Sequence, residues 1–172
     1  LPGPLTPDQE KQLGLVQSNG KHLLSLINDL LDMAKIESGR VELQLESLDC
    51  APVLDEVVQT LRPTADAKGL WLRIDPPHGS VPVRADRRAL QQILINLAGN
   101  ALKFTREGGV SLAATHDGGR VGIAVRDTGI GISEADRARL FQAFTQVGDR
   151  SAHRAEGTGL GLHLSTKLAE LM

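Results

Sequence analysis

The sequence has few of the residues on which several classes of protein depend. Its 172 residues include one cysteine, Cys50, which excludes an internal disulfide framework and a multi-cysteine zinc site. No stretch approaches the ~20 apolar residues of a transmembrane helix, and the first residues lack the pattern of a signal peptide. The 19 Lys and Arg are balanced by 21 Asp and Glu, so no basic excess indicates nucleic acid. We therefore expect a cytoplasmic chain that binds no nucleic acid and makes no direct contact with a membrane.

Aromatic residues are nearly missing as well. The chain has three Phe, one Trp and no Tyr, although 41% of its residues are hydrophobic. The core must therefore be aliphatic. Trp71 stands on a predicted strand among leucines, and we expect it in that core. Cys50 stands at a predicted helix start, where a lowered thiol pKa is one interpretation and a buried structural thiol is the preferred one.

A long helix is predicted over residues 8–38. Thr6 can cap its start, Pro7 suits its first turn, and Gly39 can end it. Apolar and small residues recur along it at alternating steps of three and four, which is the heptad seam of a helix in a bundle. The seam consists of Leu13, Val16, Gly20, Leu23, Ile27, Leu30 and Ala34.

The rest of the chain mixes strands and helices without a regular βαβ order. Strands are predicted over 41–45, 70–74, 81–84, 110–115 and 120–126, and helices over 87–104, 133–140 and 159–172, with another from Asp49 that Pro63 interrupts or ends. Asp117-Gly-Gly119 is a hairpin signal. The pattern favours the α+β class, with helices packed on one mixed sheet. Few strands are available to complete that sheet, so its final strands are expected to be missing.

The helix over 87–104 carries the first informative polar group. Asn96 and Asn100 are four residues apart and share a face, and Lys103 follows one turn later. A carboxamide oxygen is a hard ligand that suits Mg²⁺. An equally weighted interpretation is that both asparagines bond to loops and that Lys103 is a solvated helix end.

Two glycine-rich segments follow. In Asp127-Thr-Gly-Ile-Gly-Ile132 a carboxylate at a strand end can accept a hydrogen bond from an exocyclic amine such as that of adenine, while the glycines admit a flat ligand. Gly157-Thr-Gly-Leu-Gly-Leu162 opens the last helix, where backbone N–H groups can hold an anion. Each signal is weak alone. Taken alone, the first is better interpreted as a plain strand-to-helix turn, and the second lacks the third glycine of a dinucleotide-binding fingerprint.

The order of these three motifs resembles the N, G1 and G2 boxes of the ATP-binding domain of sensor histidine kinases, a branch of the GHKL superfamily. Leu140-Phe-Gln-Ala-Phe144 is similar to their F box, with Ala143 in place of the common proline, and Lys21–Gly39 is similar to the second helix of their dimerisation and phosphotransfer domain. The resemblance implies that residues 1–39 form this helix. It implies that residues 40–172 form a GHKL-type (Bergerat) catalytic α/β sandwich, and that both units are truncated.

The resemblance also implies a role for each site residue, with ATP and Mg²⁺ as the cofactors. Asn100 would bind Mg²⁺, Asn96 would support the metal or a phosphate, and Lys103 would meet the phosphates; Asn96 and Lys103 are thus the candidate catalytic residues. Phe104 would lie against the adenine and Asp127 would bind its amino group. The remaining ATP-binding positions are Gly129, Gly131, Gly157, Thr158, Gly159, Leu160 and Gly161.

A mobile lid over the bound nucleotide is a further implication. Residues 146–156 would form it, with Arg150 and Arg154 as candidates for phosphate contact. Phe141 and Phe144 would anchor the lid to the core.

Position 96 separates the activities found within the superfamily. Relatives that hydrolyse ATP carry a glutamate there as general base, whereas the amide of Asn96 cannot take a proton. The implied reaction is therefore transfer of the γ-phosphoryl group to a protein histidine. Two alternatives stay open, a GHKL ATPase that uses another base and a degenerate, non-catalytic signalling scaffold.

The phosphate acceptor is not recognisable among the histidines of this sequence. None of the five, His22, His78, His116, His153 and His163, stands in the family's acceptor motif. We therefore expect that this chain does not phosphorylate itself and that it is a piece of a larger kinase. The expected partners are a second copy, through the 8–38 helix in the full protein, and a response regulator or receiver domain. Membrane anchoring of that larger protein stays open.

Overall fold

The computed structural model describes residues 3, 5–75, 80–145 and 158–172. Its first helix, α1 (Pro7–Glu37), begins at a capping box in which Thr6 accepts the Gln9 N–H at 3.3 Å and donates its own N–H to the Gln9 side chain at 2.9 Å. Gly39 follows the helix with φ +66°, a left-handed conformation that suits glycine. The long helix predicted from the heptad seam is confirmed.

The second part of the chain contains short strands and longer helices. The elements are β1 (Glu46–Asp49), α2 (Cys50–Ala67), β2 (Trp71–Ile74), β3 (Pro82–Ala85), α3 (Arg87–Phe104), β4 (Gly109–Asp117), β5 (Arg120–Asp127), α4 (Glu134–Arg137) and α5 (Gly161–Leu171). The α3 bounds coincide with those predicted, whereas α4 and α5 are shorter than predicted.

The mixed sheet has the strand order β2-β4-β5. Strand β4 pairs in parallel with β2 and antiparallel with β5, so that Leu72 lies beside Val110 and Leu112 beside Val125. Gly118 and Gly119 both take positive φ in the hairpin between β4 and β5, as a tight primed turn requires. Strands β1 and β3 form a separate antiparallel ribbon. The predicted α+β class with a mixed sheet is confirmed, and the ribbon is an addition to it.

The core is aliphatic and lies between the sheet and two helices, α2 and α3. Its fully buried side chains come from both helices and from the sheet, and include Val53, Leu54, Val57, Leu102, Val110 and Leu112. Cys50 is buried with them, and burial raises the pKa of its thiol. The interpretation of Cys50 as a structural thiol is confirmed.

A smaller cluster docks α1 against this domain. Met33 is buried against Ala89 and Ile93 of α3 and Leu164 and Leu168 of α5. The C-terminal part of α1 is thereby packed, whereas most of the seam residues nearer its N-terminus are exposed.

Three predictions about elements are wrong, each for a physical reason. Residues 41–45 are not a strand, because the Gln44 N–H bonds to the Asp86 carboxylate at 2.8 Å instead of to a neighbouring strand. Helix α2 continues through Pro63 to Ala67, because Pro63 is exposed while Leu61 and Ala65 on either side of it are buried. Trp71 is 40% exposed, because strand alternation turns Leu72 inward and Trp71 outward, beneath the Arg73 guanidinium at 4.6 Å from the ring centroid.

Among the described residues, no helix is both long and apolar enough to cross a bilayer. The turn predicted at Pro76–Gly79 lies outside the described residues.

Candidate functional site

An open cleft of about 1690 Å³ lies where α3, the end of β5 and the start of α5 meet. It exceeds the ~300–1,000 Å³ of most small-molecule pockets and has room for a ligand of nucleotide size. Most of the residues predicted from the three motifs line it, namely Asn96, Asn100, Lys103, Phe104, Asp127, Gly131, Thr158, Gly159 and Gly161. Helix α1 contributes Ser25 and Asp29 to the same cleft.

Not every predicted site residue is part of that lining. The Leu160 side chain is only 2% exposed and belongs to the core, while Gly129 lies in the turn behind Phe104. Gly157 and the predicted lid over 146–156, with Arg150 and Arg154, lie outside the described residues.

Helix α3 places its polar face on the cleft because its start is fixed. The Asp86 carboxylate accepts the Ala89 N–H at 2.9 Å as N-cap and also accepts the Gln44 N–H at 2.8 Å. These two donors, first that of Ala89, hold the pKa of Asp86 below its usual value. With Leu90, Leu94 and Ala98 of the same helix buried, Asn96 and Asn100 are left half-buried at the cleft.

A chain of amide hydrogen bonds orients the two asparagines. Asn96 Nδ2 donates to Ser165 Oγ of α5 at 2.7 Å, and Asn100 Nδ2 donates to Asn96 Oδ1 at 3.3 Å. The end of the Asn100 amide that remains for a cation is thus its oxygen, a ligand type that Mg²⁺ accepts. Ser165 is buried and was not predicted, because no local pattern shows that α5 packs on α3.

Gly161 makes room for this network. A Cβ at position 161 would lie 2.3 Å from Asn96 Oδ1, so any side chain there would displace the Asn96 amide. The third glycine of the last motif therefore has a packing role beside Asn96.

The end of α3 holds Lys103 and Phe104 at the rim of the cleft. Lys103 Nζ lies 5.1 Å from the centroid of the Phe104 ring, and Phe104 is partly exposed. Lys68, at the end of α2, donates from Nζ to the carbonyls of Leu102, Lys103 and Thr105, at 2.5, 3.0 and 3.2 Å. The cation of Lys68 thereby satisfies carbonyls that a helix end leaves unpaired. No local pattern in the sequence predicts this contact.

The turn after β5 brings Asp127 next to Phe104. Asp127 Oδ1 accepts the Gly129 N–H at 2.8 Å, and the Thr128 hydroxyl donates to the Glu107 carbonyl at 2.8 Å. A Cβ at Gly129 would lie 2.7 Å from the Phe104 carbonyl oxygen, so the turn can pass this close only with glycine. The Asp127 carboxylate, which keeps further acceptor positions, and Phe104 both line the cleft.

The turn before α5 is held by one hydroxyl. Thr158 Oγ1 accepts the Leu160 N–H at 3.1 Å and donates to Asp29 Oδ2 of α1 at 3.1 Å. Gly159 takes φ +71°, and a Cβ there would lie 2.9 Å from the carbonyl carbon of Phe144.

Phe141 and Phe144, which were predicted to anchor the lid to the core, do not bury their side chains in that core. Their side chains are 54% and 69% exposed. Backbone contacts hold this segment instead: His163 Nδ1 donates to the Phe141 carbonyl at 2.8 Å, and Phe144, at φ +60°, packs its backbone on Gly159.

A metal ion in this cleft would depend on oxygens brought by its ligand. Within the described ranges, no three or more His, Cys, Asp or Glu side chains are grouped so as to hold a metal. One amide oxygen fits an ion that is carried mainly by phosphate oxygens, as Mg²⁺ is in nucleotide complexes.

Comparison with known proteins agrees with this geometry. The family model described as histidine kinase-, DNA gyrase B-, and HSP90-like ATPase matches residues 85–172. Histidine protein kinase DivJ of Caulobacter vibrioides is 45% identical over 170 residues, which are 98% of this chain and 28% of DivJ. Signal transduction histidine-protein kinase BarA of Escherichia coli is 40% identical over an alignment of 175 residues that covers 98% of this chain and 19% of BarA.

A solved structure extends the likeness to the fold. Full-length ShkA in complex with AMPPNP superimposes with a TM-score of 0.82 at 39% identity, over 99% of this chain and 35% of ShkA. The chain thus spans less than a third of the length of the curated relatives DivJ and BarA.

Proposed function

The chain belongs to the histidine kinase-, DNA gyrase B-, and HSP90-like ATPases, as the ATP-binding module of a sensor histidine kinase, and on that premise we propose its reaction. The cleft holds ATP with Mg²⁺, and the γ-phosphoryl group passes to a histidine on a phosphotransfer helix. In this proposal residues 1–39 are the second helix of the dimerisation and phosphotransfer domain, and residues 40–172 are the ATP-binding domain.

The adenine side of the site is proposed at the β5 turn. The Asp127 carboxylate would accept the exocyclic amino group, and Phe104 would cover one face of the ring. Support comes from the cleft lining, which includes both residues, and from the turn at Gly129, which passes close to the Phe104 carbonyl. AMPPNP, an ATP analogue, is the ligand named for ShkA.

The phosphate side is proposed between α3 and the glycine turn. Lys103 would contact phosphate oxygens, together with backbone N–H groups of the turn at Thr158, Gly159 and Gly161. Asn100 Oδ1 would hold Mg²⁺, oriented by the Asn96 amide. When bound, Mg²⁺ balances the negative charge of the phosphates.

One observation favours phosphoryl transfer over hydrolysis, namely the hydrogen bonding of the Asn96 amide. Its Nδ2 donates to Ser165 and its Oδ1 accepts from Asn100, so each end of the amide makes a hydrogen bond within the protein. An amide is also no proton acceptor at neutral pH, so this side chain cannot activate water. The cleft then positions and electrostatically stabilises the donor phosphate for an external nucleophile.

A transfer assay separates this reaction from its two alternatives. The chain is incubated with γ-labelled ATP and Mg²⁺, with and without a separately supplied helical hairpin that carries an acceptor histidine. We expect acid-labile label on the hairpin and no free phosphate above background. Steady phosphate release without the hairpin, lost in Asp127→Asn, would establish an ATPase. Absence of ATP binding in a parallel titration would contradict both catalytic alternatives and leave the scaffold.

The proposed partners follow from the same reaction. The exposed seam residues Leu13, Leu23, Ile27 and Leu30 support a homodimer through residues 8–38 of the full protein, because a contiguous apolar stripe in water favours association. A response regulator or receiver domain would take the phosphoryl group next. Since ATP is the donor, the cytoplasm is the proposed compartment.

A further inference from the structure

Helix α1 contributes directly to the wall of the cleft, although its sequence predicts only a bundle helix. Ser25 and Asp29 are four residues apart, lie on one face of α1, and both line the cleft. The Met33 cluster, one turn further on, packs this part of α1 against α3 and α5. The helix is thus fixed where Asp29 can reach the glycine turn.

A two-step hydrogen-bond relay connects Asp29 to the backbone of that turn. The Thr158 hydroxyl has one proton, which it donates to Asp29 Oδ2 at 3.1 Å. This donation leaves the hydroxyl oxygen as the acceptor for the Leu160 N–H, also at 3.1 Å. The carboxylate on α1 therefore determines which way the Thr158 hydroxyl points and, through it, the orientation of the peptide at Leu160.

Partial burial makes the ionised form of the Asp29 carboxylate less favourable than it is in water. Its carboxylate is partly buried, and that burial raises the pKa of Asp29 more than the hydrogen bond from Thr158 lowers it. A hydrogen bond from a hydroxyl to a carboxylate is stronger in a partly desolvated site than in open water.

We propose that Asp29 is a positioning residue for nucleotide binding, acting through Thr158 to hold the glycine turn in the orientation that receives phosphates. This inference rests on the proposed function of the cleft. It makes nucleotide affinity depend on α1 being docked, so the dimerisation helix and the phosphate site are coupled through one side chain.

The test compares Asp29→Ala and Asp29→Asn by calorimetric titration with AMPPNP and Mg²⁺. An amide oxygen can still accept from Thr158, so Asp29→Asn should bind within about twofold of the unmodified chain, whereas Asp29→Ala should bind about threefold to tenfold more weakly. Asp32→Ala is the matched control. It removes a carboxylate one turn away that contacts Lys35 and Gln92. The charge of Asp32 helps to raise the pKa of Asp29, but Asp32 makes none of the relay's hydrogen bonds, so its loss should leave affinity within about twofold.

A double variant then tests whether the loss of affinity in Asp29→Ala depends on the Thr158 hydroxyl. Thr158→Val removes the hydroxyl at nearly constant volume, so adding Asp29→Ala to it should cause no further loss of affinity. Without nucleotide, amide hydrogen exchange at Leu160 should become faster in Asp29→Ala and stay unchanged in Asp32→Ala. Unfolding midpoints confirm that each variant is folded.

Several results would overturn the inference. Tighter binding by both Asp29→Ala and Asp29→Asn would mean that the carboxylate only repels phosphate. Unchanged affinity in Asp29→Ala, additive losses in the double variant, or unchanged exchange at Leu160 would each remove the relay. Absence of binding by the unmodified chain would overturn the proposed function, and this inference with it.

Discussion

At the scale of single residues, Asp86 connects two parts of the fold. Its carboxylate caps α3 at Ala89 and accepts the N–H of Gln44, so it holds the segment after α1 against the start of the helix that carries the site. Because both donors favour the ionised form, the pKa of Asp86 is lowered in the folded state. A lowered pKa means that the ionised carboxylate stabilises the fold.

Asp86→Ala is expected to reduce the free energy of unfolding by about 1–2 kcal/mol at pH 7. The stabilisation is present above the unfolded pKa of about 3.9 and is lost as the pH falls through the lower folded value. The two chains should therefore converge in acid, as urea unfolding at successive pH values can show. Asp55→Ala, at an exposed position of α2, is the control. An Asp86→Ala deficit that persists unchanged in acid would contradict the capping account.

Residue roles could be predicted where a local pattern determines them. Asp86 as a cap and Cys50 as a buried thiol follow from neighbours along the chain. Ser165 could not be found, because its partner Asn96 is 69 positions away and only the packing of α5 on α3 brings them together. The leucine neighbours of Trp71 predict burial, but alternate strand residues face opposite sides, so Leu72 is buried and Trp71 is exposed.

At the scale of elements, the end of α3 depends on a cation from another helix. Lys68 donates to three carbonyls at the point where α3 stops and Lys103 and Phe104 reach the cleft. A positive charge at a helix C-terminus is favourable both for the hydrogen bonds and for the helix dipole. The position of the cleft rim thus relies on the α2–α3 contact.

Lys68→Met keeps the apolar stem of the side chain and removes its charge. We expect the free energy of unfolding to fall by about 1–2 kcal/mol, because three carbonyls lose a charged donor while water can replace it in part. Urea unfolding measures the change. Arg62→Met, at an exposed position of the same helix, should leave stability within about 0.5 kcal/mol. Equal losses in the two variants would show that Lys68 stabilises nothing at α3.

Element predictions succeeded where one periodic face is buried. Helix α3 has a strong apolar stripe and an N-cap, and its bounds were predicted correctly. Residues 41–45 alternate like a strand, but a strand also needs a partner, and Asp86 takes the Gln44 N–H. Helix α2 passes Pro63 because tertiary burial of its neighbours outweighs the lost hydrogen bond.

At the scale of the whole molecule, the cleft is assembled from segments that are far apart in the chain. Helix α1 supplies Asp29, α3 supplies Asn96 and Asn100, the β5 turn supplies Asp127, and the last turn supplies Thr158. The order of the motifs predicted that most of these residues would meet. The contribution of α1 could not be predicted, because docking of that helix through Met33 leaves no local trace in the sequence.

The measurement that tests the account most directly is a calorimetric titration of ATP with and without Mg²⁺, on the unmodified chain and on Asn100→Ala. Asn28→Ala, the same change at an exposed position of α1, is the control. We predict that Mg²⁺ strengthens ATP binding at least about tenfold in the unmodified chain and in Asn28→Ala, and has no such effect in Asn100→Ala. ATP binding that is independent of Mg²⁺ in the unmodified chain, or a full Mg²⁺ effect in Asn100→Ala, would contradict the proposed site.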